Sequence, residues 1–202
     1  RAVVVVGAFV TDLDQSRLKV AGAADSKALS PQRRNEVRRA LEPLGTGVTI
    51  AIEATAIDEG NLNELELAAF IELIRRFAPD RVYLDAPVPP RGIPAFRQRL
   101  IAATGIADQV VENKADSTWP VVGAASIFAK TTRDAAIDAI GEVGSGYPSD
   151  PVTRAVLSRL LASGAPLPAW VRTRWGTLDN LRQMPLLSAS NSYPASNSYP
   201  AS

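Results

Sequence analysis

The chain contains no cysteine and no histidine. The first absence excludes disulfides, thiolate nucleophiles and cysteine-built zinc sites. The second removes serine–histidine–aspartate triads, imidazole metal ligands and the commonest general base. Neither charge dominates, since 22 Lys and Arg face 21 Asp and Glu for a formal charge of +1. A nucleic-acid surface therefore has to be a local patch. No apolar run approaches the roughly 18 residues of a membrane span, so no membrane role is expected and a cytoplasmic protein is the default. Aromatics are few, at 6%. No G-x-G-x-x-G and no G-x-x-x-x-G-K-[ST] occurs, which leaves a nucleotide-binding α/β domain without its phosphate loop. The chemistry that remains belongs to carboxylates, lysine, tyrosine, hydroxyls or a hard divalent ion, and carboxylate oxygens favour Mg²⁺ or Mn²⁺.

What is present reads as alternating strands and helices. Ala2–Val10 is β-branched and nearly continuous, as in a buried strand. Residues 11–16 form a polar turn, and residues 17–21 suggest a returning strand. Ser30 followed by Pro31 is a helix start, with Val37, Leu41 and Leu44 at helical spacing. Val48, Ile50 and Ile52 alternate with polar or small residues, which is a strand pattern. Residues 62–78 predict a helix with Leu67, Phe70, Ile71, Ile74 and Phe77 on one face. A short strand follows at 82–86 and carries Asp85. Residues 87–94 form a loop holding four prolines. A helix is expected at 95–104, a strand at Gln109–Glu112, a long alanine-rich helix at 120–140, and a further helix from Asp150 and Pro151 to about Ala162. Such alternation predicts a layered α/β fold with one core over residues 1–185. Residues 186–202 contain the repeat Ser-Asn-Ser-Tyr-Pro-Ala, polar and proline-punctuated, and read as a disordered tail.

Several residues invite chemistry, each beside a plainer role. Asp85 ends a strand, where α/β sheets gather ligands; a turn aspartate bonded to its own loop is the plain alternative. Asp116, between a strand and the long helix, suits a metal ligand or an Asx-type cap. Lys130, Arg133 and Asp134 share one helix face. They suit phosphate contacts, support of a site, or a solvated ion pair. Lys27 lies in a polar turn before a helix N-terminus, an anion-binding position. Tyr147, in Gly144-Ser145-Gly146-Tyr147-Pro148, can stack on a sugar or base, or simply anchor its loop.

Taken in order, these segments resemble the ribonuclease HII (type 2 ribonuclease H) family, its archaeal branch in particular. The resemblance rests on Asp25-Ser26-Lys27-Ala28-Leu29-Ser30-Pro31, Asn61-Leu62-Asn63-Glu64-Leu65-Glu66, Val82-Tyr83-Leu84-Asp85-Ala86 and Lys114-Ala115-Asp116. It continues through Ala124-Ala125-Ser126-Ile127-Phe128-Ala129-Lys130-Thr131-Thr132-Arg133-Asp134, then Gly144-Ser145-Gly146-Tyr147-Pro148-Ser149-Asp150-Pro151, then Val171-Arg172-Thr173-Arg174-Trp175. It spans about residues 1–180.

The resemblance implies a ribonuclease H-like fold, a central mixed sheet flanked by helices, and a monomer. It implies an endoribonuclease acting on RNA–DNA hybrid duplexes and on DNA with embedded ribonucleotides, as in DNA replication and repair. Two divalent ions, Mg²⁺ or Mn²⁺, would be held by four carboxylates. Asp85 and Asp116 match two of these as catalytic metal ligands. Lys27, Lys130 and Arg133 are the candidates for phosphate contacts or site support, and by the resemblance Tyr147 would stack on the deoxyribose beside the ribonucleotide. The family's other two carboxylates lie in an Asp-Glu-Ala-Gly motif on the first central strand, and no such motif occurs here. With Arg1 opening inside an apolar run, the expectation is an N-terminally incomplete domain without that strand. The alternative is a catalytically inactive nucleic-acid-binding relative or a truncated fragment.

Overall fold

The computed structural model describes residues 2–23 and 29–183. Lys27 and the repeat tail lie outside the described residues.

The chain opens with β1 (Ala2–Val10), followed by a short helix, α1 (Gln15–Val20). A returning strand was expected over 17–21, and the difference has a local cause. The Asp14 carboxylate accepts the Ser16 amide at 2.7 Å and caps a helix. A strand would place Leu18 and Val20 on the same face. The helix instead buries Leu18 completely and leaves Val20 90% exposed.

Helix α2 (Pro31–Leu41) starts as read, with Ser30 Oγ accepting the Arg33 amide and Pro31 in the first turn. It buries Val37 and Leu41. β2 (Thr46–Glu53) then pairs antiparallel with β1 along its length. A short helix that the pattern did not announce, α3 (Ala54–Glu59), leads to α4 (Leu62–Phe77). Asn61 caps α4 through the Asn63 amide. The expected apolar face is present, with Leu67 and Ile74 buried and Phe70, Ile71 and Phe77 half-buried.

β3 (Val82–Asp85) pairs in parallel with β4 (Gln109–Glu112). A parallel pair needs a crossover, and α5 (Ile93–Thr104) lies between the two strands. α5 begins earlier than expected. Pro90–Gly92 forms a 3₁₀ turn, and Pro94 sits in the first turn of α5, where a missing amide costs nothing.

The tetrad α6 (Ala115–Thr118) and the long helix α7 (Pro120–Asp138) follow. α7 is the beam of the molecule: β1, β2, β3, α1, α2 and α6 all pack on it. Its alanines explain how. Gly7 on β1 lies so close to α7 that an added Cβ would strike the Ala125 carbonyl oxygen and the Ala129 methyl. Gly47 on β2 lies under the Phe128 ring, and Phe9 stacks on that ring at 5.6 Å. Larger side chains on either surface would hold the layers apart.

The C-terminal part contains α8 (Pro151–Ala162) and a further helix not anticipated, α9 (Gly176–Gln183). Leu157, Val171 and Leu178 form their core. Asp58 on α3 fastens this part to the rest by accepting the Thr173 amide and hydroxyl and the Arg174 amide.

The α/β layering is thus as expected, but the mixed sheet comes in two pieces. Among the described residues there is an antiparallel pair, β1–β2, and a parallel pair, β3–β4. Both lean on α7, and no described strand joins them.

Candidate active site

The β3–β4 pair positions the carboxylates. Val82 and Leu84 point into the core at 8% and 4% exposure, so Tyr83 and Asp85 share the other face. In the parallel register Asp85 sits beside Glu112. Just beyond β4, the Asn113 side-chain amide donates to the Ala86 and Val88 carbonyls and fixes the loop after β3.

Lys114 then takes a left-handed conformation, φ 60° and ψ 31°. That reversal brings the Ala115 amide to Asp85 Oδ1 at 3.3 Å and starts α6 with Asp116 in its first turn. Asp116 is only 5% exposed. The Asp85 carboxylate is therefore bonded to the residue that precedes Asp116, although 30 positions separate the bonded pair along the chain.

The Asp85 carboxylate reaches a segment 30 residues away, beyond its own loop. Asp116 is inside α6, whose N-cap position is Lys114. Glu112 is occupied: it accepts the Trp119 indole N–H at 2.7 Å, and the Trp119 ring lies 4.7 Å from that of Tyr83. Neither Glu112 nor Trp119 stood out in the sequence. The strand alternation that puts Asp85 and Glu112 on one face was the available signal.

A buried carboxylate is costly to ionise without a counter-charge. Asp116 is buried and Asp85 partly buried, and carboxylate oxygens of this kind suit a hard divalent ion. Among the described residues, no group of three or more acidic side chains is gathered to hold a metal.

The second assembly surrounds Tyr147. Gly144 and Gly146 both adopt φ of 72°, and the loop between α7 and α8 closes on Asp150. Asp150 Oδ2 accepts the Ser145 amide and, at 2.8 Å, the Ser145 hydroxyl, and Thr153 Oγ1 lies 3.0 Å from it. Oδ1 accepts the Val152 amide and caps α8. The amide and hydroxyl of Ser145 above all hold the Asp150 carboxyl down to a pKa of about 2.

Arg133 on α7 reaches the same loop. Its guanidinium carbon lies 4.0 Å from the Tyr147 ring centre, and Nη1 donates to the Ser145 carbonyl at 3.2 Å. Arg133 is 11% exposed at the side chain, whereas Tyr147 is 45% exposed. Asp134 pairs with Arg34 at 2.7 Å, and Arg34 also donates to the Leu29 carbonyl. Lys130 lies partly buried one turn earlier on α7. The structure therefore makes two groups of the expected site residues: Asp85 with Asp116, and Arg133 with Tyr147. Asp150, read from sequence only as a helix start, proves to be the centre of the loop.

This α/β body matches solved ribonuclease H-like structures, which defines its class of fold. The ribonuclease HII family model matches residues 2–178. A ribonuclease HII of Archaeoglobus fulgidus is 38% identical over 191 residues, covering 90% of this chain and 90% of that protein. Its structure in complex with PCNA superposes with a TM-score of 0.82 at 36% identity, covering 92% of this chain and 93% of that one. The ribonuclease H2 of Pyrococcus horikoshii OT3 superposes with a TM-score of 0.77 at 33% identity, covering 89% and 91%. The chain belongs to the ribonuclease HII family, whose members are metal-dependent endoribonucleases. Among the described residues no helix is long and apolar enough to cross a membrane.

Proposed function

We propose that this protein cleaves the RNA strand of RNA–DNA hybrids and cuts duplex DNA at embedded ribonucleotides, with Asp85 and Asp116 as metal ligands. The observation that carries this reading is the bond from the Ala115 amide to the Asp85 carboxylate, next in the chain to the buried Asp116. The family membership supports the reaction class.

Mg²⁺ or Mn²⁺ ions bound there, two by the family's pattern, would polarise the scissile phosphate, generate the attacking hydroxide from water and stabilise the leaving 3′ oxygen. The residues of the chain supply the frame. Asp85 and Asp116 present oxygen ligands from a rigid strand and a tight turn. The Ala115 amide orients Asp85. No imidazole is needed, in keeping with a chain that has none. Tyr147, exposed above Arg133, would stack on the deoxyribose beside the ribonucleotide, where duplex geometry reports the 2′-hydroxyl. Lys130 and Lys27 are the proposed phosphate contacts.

The test is cleavage of a DNA duplex carrying one ribonucleotide, with Mg²⁺ or Mn²⁺, by the chain and by Asp85→Asn and Asp116→Asn. Cutting 5′ to the ribonucleotide is expected, falling by at least ~100-fold in each variant, since even outer-shell changes at metal sites cost about 10- to 100-fold. A variant that keeps the full rate would sink these ligand assignments. Binding of the duplex without any cutting by the folded chain would instead mark a hybrid-duplex binder.

A further inference from the structure

The loop of Tyr147 is held with more interactions than a surface turn requires. Its carboxylate, Asp150, gathers the Ser145 amide, the Ser145 hydroxyl and the Thr153 hydroxyl on one oxygen. The Thr153 hydroxyl also accepts the Gly146 amide, and its one proton lies within reach of the Val143 carbonyl as well as of Asp150. Both glycines beside Ser145 are in the left-handed region. A Cβ at Gly144 would collide with Asp150 and Thr153, and one at Gly146 with Ile137. The backbone on either side of Ser145 is therefore fixed from both directions, and Tyr147 follows directly.

Arg133 completes the mount. It rises from α7, the most firmly packed helix, and presents a flat cation to the Tyr147 ring at 4.0 Å while donating to the Ser145 carbonyl at 3.2 Å. With 11% exposure it has little surface left for a phosphate. A guanidinium can stack on a ring and donate sideways at once, which an ammonium cannot do. One face of the Tyr147 ring is covered by Arg133, and the residue remains 45% exposed.

We infer that Arg133 and Asp150 are positioning residues: they hold Tyr147 as a rigid platform and so set discrimination for a ribonucleotide, without themselves touching the nucleic acid. This rests on the proposed reading of Tyr147. Restricting the ring before the duplex arrives lowers the ordering cost of binding, and that gain is available only to a substrate that fits the platform.

The experiment is equilibrium binding by fluorescence anisotropy, without divalent ions, to two labelled duplexes. One is all DNA and the other carries a single ribonucleotide. The quantity read is the ratio of the two affinities. Tyr147→Ala should reduce the ratio to about one. Arg133→Lys keeps the charge but loses the flat stack, and should remove most of the preference, about fivefold to tenfold for one stacking contact. Affinity for all-DNA duplex and the slope of log affinity against log salt should stay unchanged. Asp150→Asn should move the ratio in the same direction by a smaller factor. The double variant Arg133→Lys/Tyr147→Ala should be no worse than Tyr147→Ala alone. Melting temperatures check that each variant is folded, and Asp150→Asn carries the test where Arg133→Lys does not fold.

Three results overturn the inference. Equal loss on both duplexes by an Arg133→Met variant, with a salt slope smaller by about one, would make Arg133 a phosphate contact. Full additivity of the Arg133 and Tyr147 changes would show that the two act separately. A ratio untouched by Tyr147→Ala would remove the reading of Tyr147 itself, and the inference with it. The first two leave that reading intact.

Discussion

Two regions of this molecule use aspartate in opposite ways. At the end of β3, Asp85 takes the Ala115 amide at a long 3.3 Å, and beside it Asp116 is buried in the first turn of α6. At the start of α8, Asp150 is surrounded by amide and hydroxyl donors at 2.5 to 3.0 Å, and Asp58 is similarly engaged by Thr173 and Arg174. The first pair lies at a strand end and in the short turn helix beside it, with Asp116 buried there. The second pair has its charge consumed by the fold. Burial does not mark the rivets: Asp150 and Asp58 are only partly buried, yet each ties loop backbone through several donors.

The comparison can be broken from the packing side first. Leu100 is fully buried in the core beneath β3, among Leu67, Ile74, Val82, Leu84 and Phe96. Leu100→Ala should cost about 3 kcal/mol, read by denaturant unfolding, through lost burial and the cavity left behind. If cleavage per folded molecule survives that loss, the frame under Asp85 has slack. If it falls with stability, the core and the carboxylates form one mechanical unit.

A sharper version exchanges the aspartates themselves. Without divalent ions, Asp116→Asn should raise unfolding stability, read by denaturant unfolding, because it removes a charge from a buried position. Asp150→Asn should lower it. A destabilised Asp116→Asn would mean that the fold spends this charge too.

The acid limb separates them further. The folded pKa of Asp150 is depressed, from 3.8 to about 2. Its stabilising contribution is therefore complete above about pH 4 and is lost as the pH falls towards about 2. Asp58 contributes in the same sense. Burial opposes its ionisation, but the hydroxyl and amide of Thr173 and the amide of Arg174 outweigh that and hold its pKa below the ordinary value. The melting temperature of Asp150→Asn should thus fall less steeply with acid than that of the parent. Equal slopes would deny Asp150 its role as a rivet.

The smallest expected effect is at Lys114. Its left-handed backbone costs about 1 kcal/mol in a non-glycine residue. Lys114→Gly should recover part of that, a few tenths of a kcal/mol, because glycine also gains freedom in the unfolded chain. A clear loss of stability or of cleavage would assign the lysine side chain a task that its backbone does not reveal.

Much of the fold was legible because its signals are local. Period two at Val48, Ile50 and Ile52, period 3.6 through α4, and the Ser30-Pro31 and Asp150-Pro151 starts all act within a few residues. α1 was misread because a single cap, Asp14, outweighs a two-residue alternation. α3 and α9 lack a long apolar period, and tertiary contacts hold them: Asp58 with Thr173, and Leu178 with Leu157.

The site was legible only in part for the same reason. Asp85 and Asp116 could be named from their order in a family pattern, but the bond from the Ala115 amide to Asp85 depends on one residue, Lys114, turning left-handed. The stacking of Arg133 on Tyr147 joins a helix to a loop that returns to it, and no spacing along the chain encodes that contact.

Trp119 has a consequence of another kind. Its indole is hydrogen-bonded to Glu112 and lies against Tyr83, three residues along the chain from Asp116. The side chain next to the candidate ligands is thus a fluorophore whose emission responds to the field and solvent around it. The other two tryptophans, Trp170 and Trp175, pack in the separate C-terminal core. The protein carries an optical reporter for each of the two regions compared above, and a Trp119→Phe variant would leave only the distant pair to shine.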